Sequence, residues 1–335
     1  MEKKRVSMRE VSRLSGVSIA TVSRVIHNNG RFSDETAKRV MEVMNELNYV
    51  PDALAQGMRK RTLPVVGIIV PDILDDRFGL MVRVIQERIF ESGYSTIVFN
   101  SNENGSQSQK FIDNLISSHA SGLVYVPDSR NTVVDLKGLP TVFFEREPMF
   151  LPNVSCTYIF MNDFEASKTA MEQLMENGAR KVLILGDSLG ISSYKKRMDG
   201  AIAAFEGKDP REYSYLVKKM EPQRTKATIT VIEELLEQGY EFDTIFSSSI
   251  RMTIGALKVL KDRGLQKKIT LLGIGEHRFH EYGLLDYKAL REPIEEMANA
   301  AAKSIVKLIE DGEAENCSFV IKEEERYYTN PQHIE

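Results

Sequence analysis

Residues 8–26 read MREVSRLSGVSIATVSRVI, and the spacing of their apolar and small side chains decides how the chain begins. Val11 and Leu14 place apolar groups three apart on a first helix, facing inward. Gly16 supplies a turn, because glycine enters positive-φ conformations without a steric penalty. Ser18 is placed to cap a second helix by accepting a hydrogen bond from an exposed amide. On that helix Val22, Val25 and Ile26 face inward, which leaves Ser18, Ile19, Ala20, Thr21, Ser23 and Arg24 outward. A third helix follows, capped by Ser33, with Val40, Val43, Met44 and Leu47 as its buried stripe. Three short helices around such a turn predict a helix-turn-helix.

In that motif the second helix presents its N-terminal residues to base edges in the major groove. Arg24 has the fork of donors that reads guanine, and Ile19 and Ala20 suit thymine methyls. The hydroxyls of Ser18, Thr21 and Ser23 suit phosphates, which position a protein without specifying sequence. Charge agrees. Residues 1–62 hold 12 lysines and arginines against 7 carboxylates, a net +5, and the rest of the chain holds 32 against 41, a net −9. A basic head on an acidic body is suited to a polyanion at the head.

Composition bounds the remainder. A chain of 335 residues, 42% hydrophobic and 27% charged, has length for two or three globular domains. Cys156 and Cys317 are isolated and lack metal-ligand spacing, in keeping with a reduced, cytoplasmic protein. No apolar segment follows the charged start as in a secretory signal, and no stretch is long enough to span a membrane.

The stretch from Val11 to Arg59 resembles the DNA-binding head of the lactose-repressor (LacI/GalR) family of bacterial transcriptional regulators. The resemblance rests on GVSIATVSRV, a third helix ending in LNYVP, and ALAQGM after it. It implies that Ile19, Ala20 and Arg24 read bases, and His27 stands where the family often has asparagine. It also implies that PDALAQGMRKRT, residues 51–62, is a hinge helix that pairs with its copy in the minor groove. Leu54, Ala55 and Met58 lie at helical spacing for that pairing, and Met58 takes the wedge position where leucine is usual. Arg59 opens a basic run near the phosphates. So short a helix containing Gly57 is unstable alone in water, so it is expected to form only on DNA, in a dimer.

From Pro64 the pattern changes to alternating strands and helices. PVVGIIVP (64–71) is a continuous apolar run of buried-strand type, and STIVFN (95–100), SGLVYV (121–126) and PTVFFE (140–145) read as further strands. The alternation restarts with a helix over about 163–177. The strands KVLILG (181–186), YSYLV (213–217), DTIFSS (243–248) and ITLLGIG (269–275) follow. A helix over 294–311 and a last strand near 318–328 close the chain. The expected fold is an all-α helix-turn-helix head with an α/β core of two doubly wound parallel-sheet subdomains. The resemblance makes this core periplasmic-binding-protein-like. The expected domains are 1–50 (head), 51–62 (hinge) and 63–335 (core). Within the core, 63–161 and 292–320 form the subdomain next to DNA, and 162–291 and 321–335 form the other.

Two such halves leave a cleft at the carboxyl ends of their strands. The resemblance places Asp75, Arg77 and Phe78 in its first strand-to-helix turn. Glu145 and Arg146 stand for the family's Asp-Arg pair, and Arg197 for its arginine-x-x-glycine helix start. Ser249 and Ile250 replace the usual Asn-Asp, and Gly275-Glu276 falls where the family has Asp-Asp. With those two carboxylate positions lost and Arg77 where an aromatic is common, the expected effector is an anion such as a phosphorylated sugar. An ordinary sugar held by different side chains is the alternative.

Chemistry is otherwise sparse. GIGEH lacks the third glycine of a dinucleotide fingerprint, and there is no P-loop. The five histidines are scattered, and HRFH (277–280) reads as a solvated helix start more readily than a metal site. The expectation is a regulator, not an enzyme, without cofactor or metal. It binds operator DNA as a homodimer, most simply as a repressor, under a sugar or sugar-phosphate effector. The C-terminal ERYYTNPQHIE has no leucine heptad, so tetramers are not expected. The alternatives are a catabolite-control type regulator using a phosphorylated carrier protein as co-repressor, or a sugar-binding protein or enzyme fused to a DNA-binding head.

Overall fold

The computed structural model describes residues 6–26, 29–47, 49, 63–128, 133–149, 152, 154–220, 225–275 and 287–319. It divides into two compact units, Met1–Leu63 and Pro64–Glu335. The expected residues His27, Leu54, Ala55, Met58, Arg59 and Glu276, the HRFH segment and the chain beyond Phe319 lie outside the described residues.

The first unit has three helices, α1 (Met8–Ser15), α2 (Ile19–Ile26) and α3 (Asp34–Glu46). Gly16 ends α1 at φ 71° and donates its N–H to Ser12 O, so the turn rests on the conformation that favours glycine. Ser18 Oγ accepts from Thr21 N at 3.1 Å, and Ser33 Oγ caps α3 by accepting from Thr36 N at 3.2 Å. Val11, Val22, Val25, Val40 and Tyr49 form the core, with Met8, Ile26, Val43, Met44 and Leu47 packed around it. The expectation for α1 needs correction: Leu14 is 50% exposed. Helix α1 instead turns Met8, Val11 and Ser15 inward, a stripe at three and four residues, and Ser15 donates to Val11 O at 2.6 Å.

The second unit holds two parallel sheets. The first contains β1 (Leu63–Val70), β2 (Ser95–Asn100), β3 (Ala120–Tyr125), β4 (Thr141–Phe144), β5 (Cys156–Met161) and β11 (Cys317–Phe319), in the order β11-β5-β4-β3-β1-β2. The second contains β6 (Lys181–Asp187), β7 (Ser214–Met220), β8 (Thr244–Ser247), β9 (Thr270–Ile274) and β10 (Lys288–Leu290), in the order β10-β9-β8-β6-β7. Helices α4 (Asp76–Glu91), α5 (Gly105–Ser117), α6 (Asp163–Glu176), α7 (Ser192–Ala203), α8 (Thr225–Glu237), α9 (Ile250–Asp262) and α10 (Ile294–Asp311) connect them.

The continuous apolar runs became buried strands, as expected of sheets covered on both faces. Sequence reading missed β5 and β10. Strand β5 alternates half-buried and buried residues, and β10 is three residues long, so neither presents an apolar run. Both matter because the chain leaves the first sheet after β5 into α6 and leaves the second sheet after β10 into α10. One apolar cluster runs from Ile68 and Val142 through Met171 and Leu174 of α6 to Ile184, Phe246 and Leu272. Where α7 packs against α6, a Cβ on Gly200 would stand 2.2 Å from Phe164 O. No helix among the described residues is long and apolar enough to cross a membrane.

Candidate nucleic-acid interface and ligand cleft

Helix α2 divides as its sequence does. Val22 and Val25 are buried, Ser18, Ile19, Ala20 and Arg24 are exposed, and Thr21 and Ser23 are half-buried. Ser18 Oγ and Thr21 Oγ1 lie 2.9 Å apart, so the capping serine also holds the threonine hydroxyl. Beyond the helix, a Cβ on Gly30 would stand 3.4 Å from Arg24 Cδ, so the aliphatic stem of Arg24 runs along that glycine. The outward row is thus two apolar side chains, a guanidinium and several hydroxyls, which can meet thymine methyls, a guanine edge and phosphates.

In the second unit the charged side chains gather where parallel strands end. Asp75 follows β1, Glu103 follows β2, Glu145 and Arg146 follow β4, and Asp163 follows β5. Gly275 follows β9 and Glu292 follows β10, while α7, after β6, contributes Ser193, Tyr194 and Arg197. This is where doubly wound sheets bind ligands, because helix starts and strand ends converge there.

Arg77 is the central link. Asp75 caps α4 by accepting from Arg77 N, and its two oxygens take Nε and Nη2 of the same arginine at 3.1 and 3.0 Å. Nη1 reaches both oxygens of Glu292 at 3.0 Å and Glu145 Oε1 at 3.4 Å. Arg197 donates Nε to Asp163 at 2.7 Å and Nη2 to Glu292 at 2.5 Å and Glu145 at 3.4 Å. Arg146 donates Nη1 to both oxygens of Glu103 at 3.0 and 2.9 Å and to Pro127 O at 3.1 Å. Phe78 is buried, with Arg77 and Arg146 over its ring at 5.2 and 5.8 Å, and Tyr194 carries Arg146 and Arg197 at 5.3 and 5.4 Å.

Further bonds join the two sides. Ser193 donates to Glu145 at 3.2 Å, Glu147 N donates to Ser192 Oγ at 2.8 Å, Lys196 pairs with Glu147 and Arg251 pairs with Asp72. Glu145 holds φ 63°, an uncommon conformation for a residue with a side chain, of the kind that collects at functional sites.

Burial sets the protonation of the cluster. It pushes Asp163 up to about 7, because Arg197 is divided among Asp163, Glu292 and Glu145 and offsets burial only in part. Burial also works against ionisation of Glu145, but Arg77, Arg146 and Arg197 override it and hold that carboxyl below its ordinary range. Asp75 is likewise held low by Arg77 against the effect of burial. Among the described residues no three His, Cys, Asp or Glu side chains are arranged so that they could hold a metal ion.

Of the residues expected in the cleft, Asp75, Arg77, Glu145, Arg146 and Arg197 meet in this cluster and Phe78 lies beneath it. Ser249 is a buried cap of α9, accepting from Met252 N at 3.4 Å. Gly275 ends β9 at φ 79°, and a Cβ there would stand 2.9 Å from Glu292 Oε2. The carboxylate of Glu292 therefore lies beside the space that a side chain at position 275 would take. Sequence reading missed Glu292, Asp163, Glu103 and Tyr194. Glu292 carried one signal, an acidic residue beside a proline at the start of the long final helix.

A helix-turn-helix joined in one chain to a two-sheet core with a charged cleft defines a ligand-responsive DNA-binding regulator. The model of the lacI family of bacterial regulatory proteins matches residues 7–52, and that of the periplasmic binding protein domain matches residues 66–277. The HTH-type transcriptional regulator GalR of Escherichia coli (strain K12) is 27% identical over 311 residues, which cover 91% of this chain and 90% of GalR. The sucrose operon repressor of Lactococcus lactis subsp. lactis is 24% identical, covering 91% and 94%. The crystal structure of the Lac repressor dimer bound to operator and the anti-inducer ONPF shares the fold with a TM-score of 0.78 at 18% identity, covering 95% of this chain and 97% of that one. The chain belongs to the lacI family of bacterial regulatory proteins and is a DNA-binding transcriptional regulator, not an enzyme.

Proposed function

We propose that this regulator is a cytoplasmic repressor that binds a pseudo-palindromic operator as a homodimer and answers to a small sugar-type effector. Ile19, Ala20 and Arg24 read bases, and Ser18, Thr21, Ser23 and His27 hold phosphates. Leu54, Ala55 and Met58 pair the hinges at the operator centre, where Met58 is the minor-groove wedge and Arg59 stays near the backbone. Residues 1–50 are the head, 51–62 the hinge and 63–335 the core. The effector is held by Asp75, Arg77, Glu145, Arg146 and Arg197 over Phe78, with Ser249, Gly275 and Glu276 completing the set.

The observation that carries this reading is the set of polar bonds across the cleft: Glu145 with Ser193 and Arg197, Arg77 with Tyr194, and Asp72 with Arg251. A ligand that binds one arrangement of these groups better than another shifts the population between them. Coupling of that kind is typically about 1–3 kcal/mol, enough to switch operator occupancy.

The test is selection of binding sites from random duplex DNA by the full-length protein, followed by operator titrations with and without candidate sugars. Two-fold symmetric sites and a ligand-dependent change in operator affinity are expected. Asymmetric sites, or a cleft ligand that leaves operator affinity unchanged, would overturn this reading.

A further inference from the structure

The charge balance of the cleft narrows the ligand class, and this step rests on the effector reading above. Among the described residues the guanidinium groups of Arg77, Arg146 and Arg197 face five carboxylates, those of Asp75, Glu103, Glu145, Asp163 and Glu292. Every guanidinium is engaged. Arg77 is forked by Asp75 and met by Glu292, Arg146 is forked by Glu103, and Arg197 is shared by Asp163, Glu292 and Glu145. The rim pairs Asp72–Arg251 and Glu147–Lys196 are each balanced. A phosphate entering here must draw an arginine from its carboxylate and leave that carboxylate buried without its counter-charge, which is costly.

Two atoms of this network make no hydrogen bond. Glu145 Oε2 and Arg146 Nε are buried, face each other as an ion pair at 3.7 Å, and lack a hydrogen-bond partner among the described residues. One only accepts and the other only donates. A hydroxyl serves both, donating to Oε2 and accepting from Nε–H. An ammonium serves only the first, and an ionised phosphate oxygen only the second. Both side chains are held in place: Glu145 by Arg77, Arg197 and Ser193, and Arg146 by Glu103 and Pro127 O. An unmade bond on a buried polar group is costly, so a ligand that completes both gains selectivity there.

We propose that the cleft selects an uncharged polyhydroxyl ligand, a sugar without phosphate or carboxylate, one of whose hydroxyls bridges Glu145 Oε2 and Arg146 Nε, while the carboxylate of Glu292 excludes the phosphorylated form. Gly275 makes room for that carboxylate. The lost carboxylate at position 275 and the gained Arg77 pointed toward an anion in the sequence. Glu292 reverses that balance by answering both.

The test is calorimetric titration of the full-length protein with ribose, glucose, galactose, fructose and sucrose and with a phosphate ester of each. At least one neutral sugar should bind, with its ester weaker by about tenfold or more. Glu292→Gln should narrow that gap by roughly threefold or more, and Glu145→Gln should weaken the neutral sugar by about tenfold. An ester that binds more tightly than its parent, a gap unchanged in Glu292→Gln, or no binding by any neutral sugar overturns the proposal. The comparison of ester with parent uses the unaltered protein, so it holds whether or not either variant folds. Operator titrations with the same sugars separate the two readings. A neutral sugar that binds with this preference yet leaves operator affinity unchanged keeps the charge assignment and sinks the regulatory one.

Discussion

Gly275 and Glu292 share one space: the Cβ that Gly275 lacks would stand 2.9 Å from Oε2 of Glu292 and 3.2 Å from Cδ of Arg77. The glycine also sits at φ 79°, where a side chain is strained. Gly275→Ala should therefore destabilise the core by about 1–3 kcal/mol, from left-handed strain and displacement of the ion pair together. Urea denaturation measures this, and a second substitution divides it. Glu292→Ala should cost less in the Gly275→Ala background than alone, because part of its contact is already disturbed. Strictly additive costs would show that the two residues do not compete for space.

The arginine-x-x-glycine start of α7 joins two roles in one turn. Arg197 faces the cleft, and Gly200 lets α7 approach α6 so closely that a Cβ would meet the carbonyl oxygen of Phe164 at 2.2 Å. Backbone cannot move aside as a flexible side chain can. Gly200→Ala should cost roughly 1–3 kcal/mol or more through overpacking, although alanine is the better helix former by about 1 kcal/mol. Thermal denaturation showing an equal or raised melting temperature would mean that α7 relaxes away from α6 without penalty. Ligand affinity is the second readout, because a shifted α7 carries Arg197 and Tyr194 with it.

These positions show what the sequence could and could not reveal. Helix α2 was legible because its outward row is fixed by a 3.6-residue period and a capping serine within a few residues. Most strands were legible because both faces are covered, which writes an unbroken apolar run. Strand β5 and the three-residue β10 break that rule, so the crossings beside them carried no local signal. The cleft was legible only where a residue stands in a local motif, such as Arg77 or Arg197. Glu292 lies 215 residues from Arg77, and nothing within either neighbourhood states that they meet. Leu14 shows the same limit at small scale: spacing alone admitted two stripes on an eight-residue helix, and packing chose the one through Ser15.

Asp163 predicts a pH dependence of defined sign. Its carboxyl is pushed up to about 7 by burial, against an ordinary value of 3.8, with Arg197 opposing the shift and Glu145 and Glu292 adding to it. Between those values the folded protein holds a proton that the unfolded chain releases. Its contribution to stability is complete below about pH 4 and is lost as pH rises through about 7. Asp163→Asn keeps an oxygen for Arg197 Nε and removes the titration. Urea unfolding at pH 5 and pH 7.5 should show the unaltered protein losing stability relative to Asp163→Asn across that interval. Parallel curves for the two proteins would place the titration elsewhere, and a gain with pH would reverse the assignment.

At the other end of the chain, Arg24 is exposed on α2 while its stem runs along Gly30, and its guanidinium has no carboxylate partner among the described residues. A free fork of donors is what a bidentate guanine contact requires. Arg24→Ala should weaken binding to the selected operator by roughly 1–3 kcal/mol and relax preference at one base pair in each half-site. Titration of duplexes substituted singly at every position measures both effects. A loss of equal size on every duplex would make Arg24 a phosphate contact, and the salt dependence of binding would then fall by about one unit of slope. Retained preference at all positions would pass base reading to Ile19, Ala20 and the hydroxyl row.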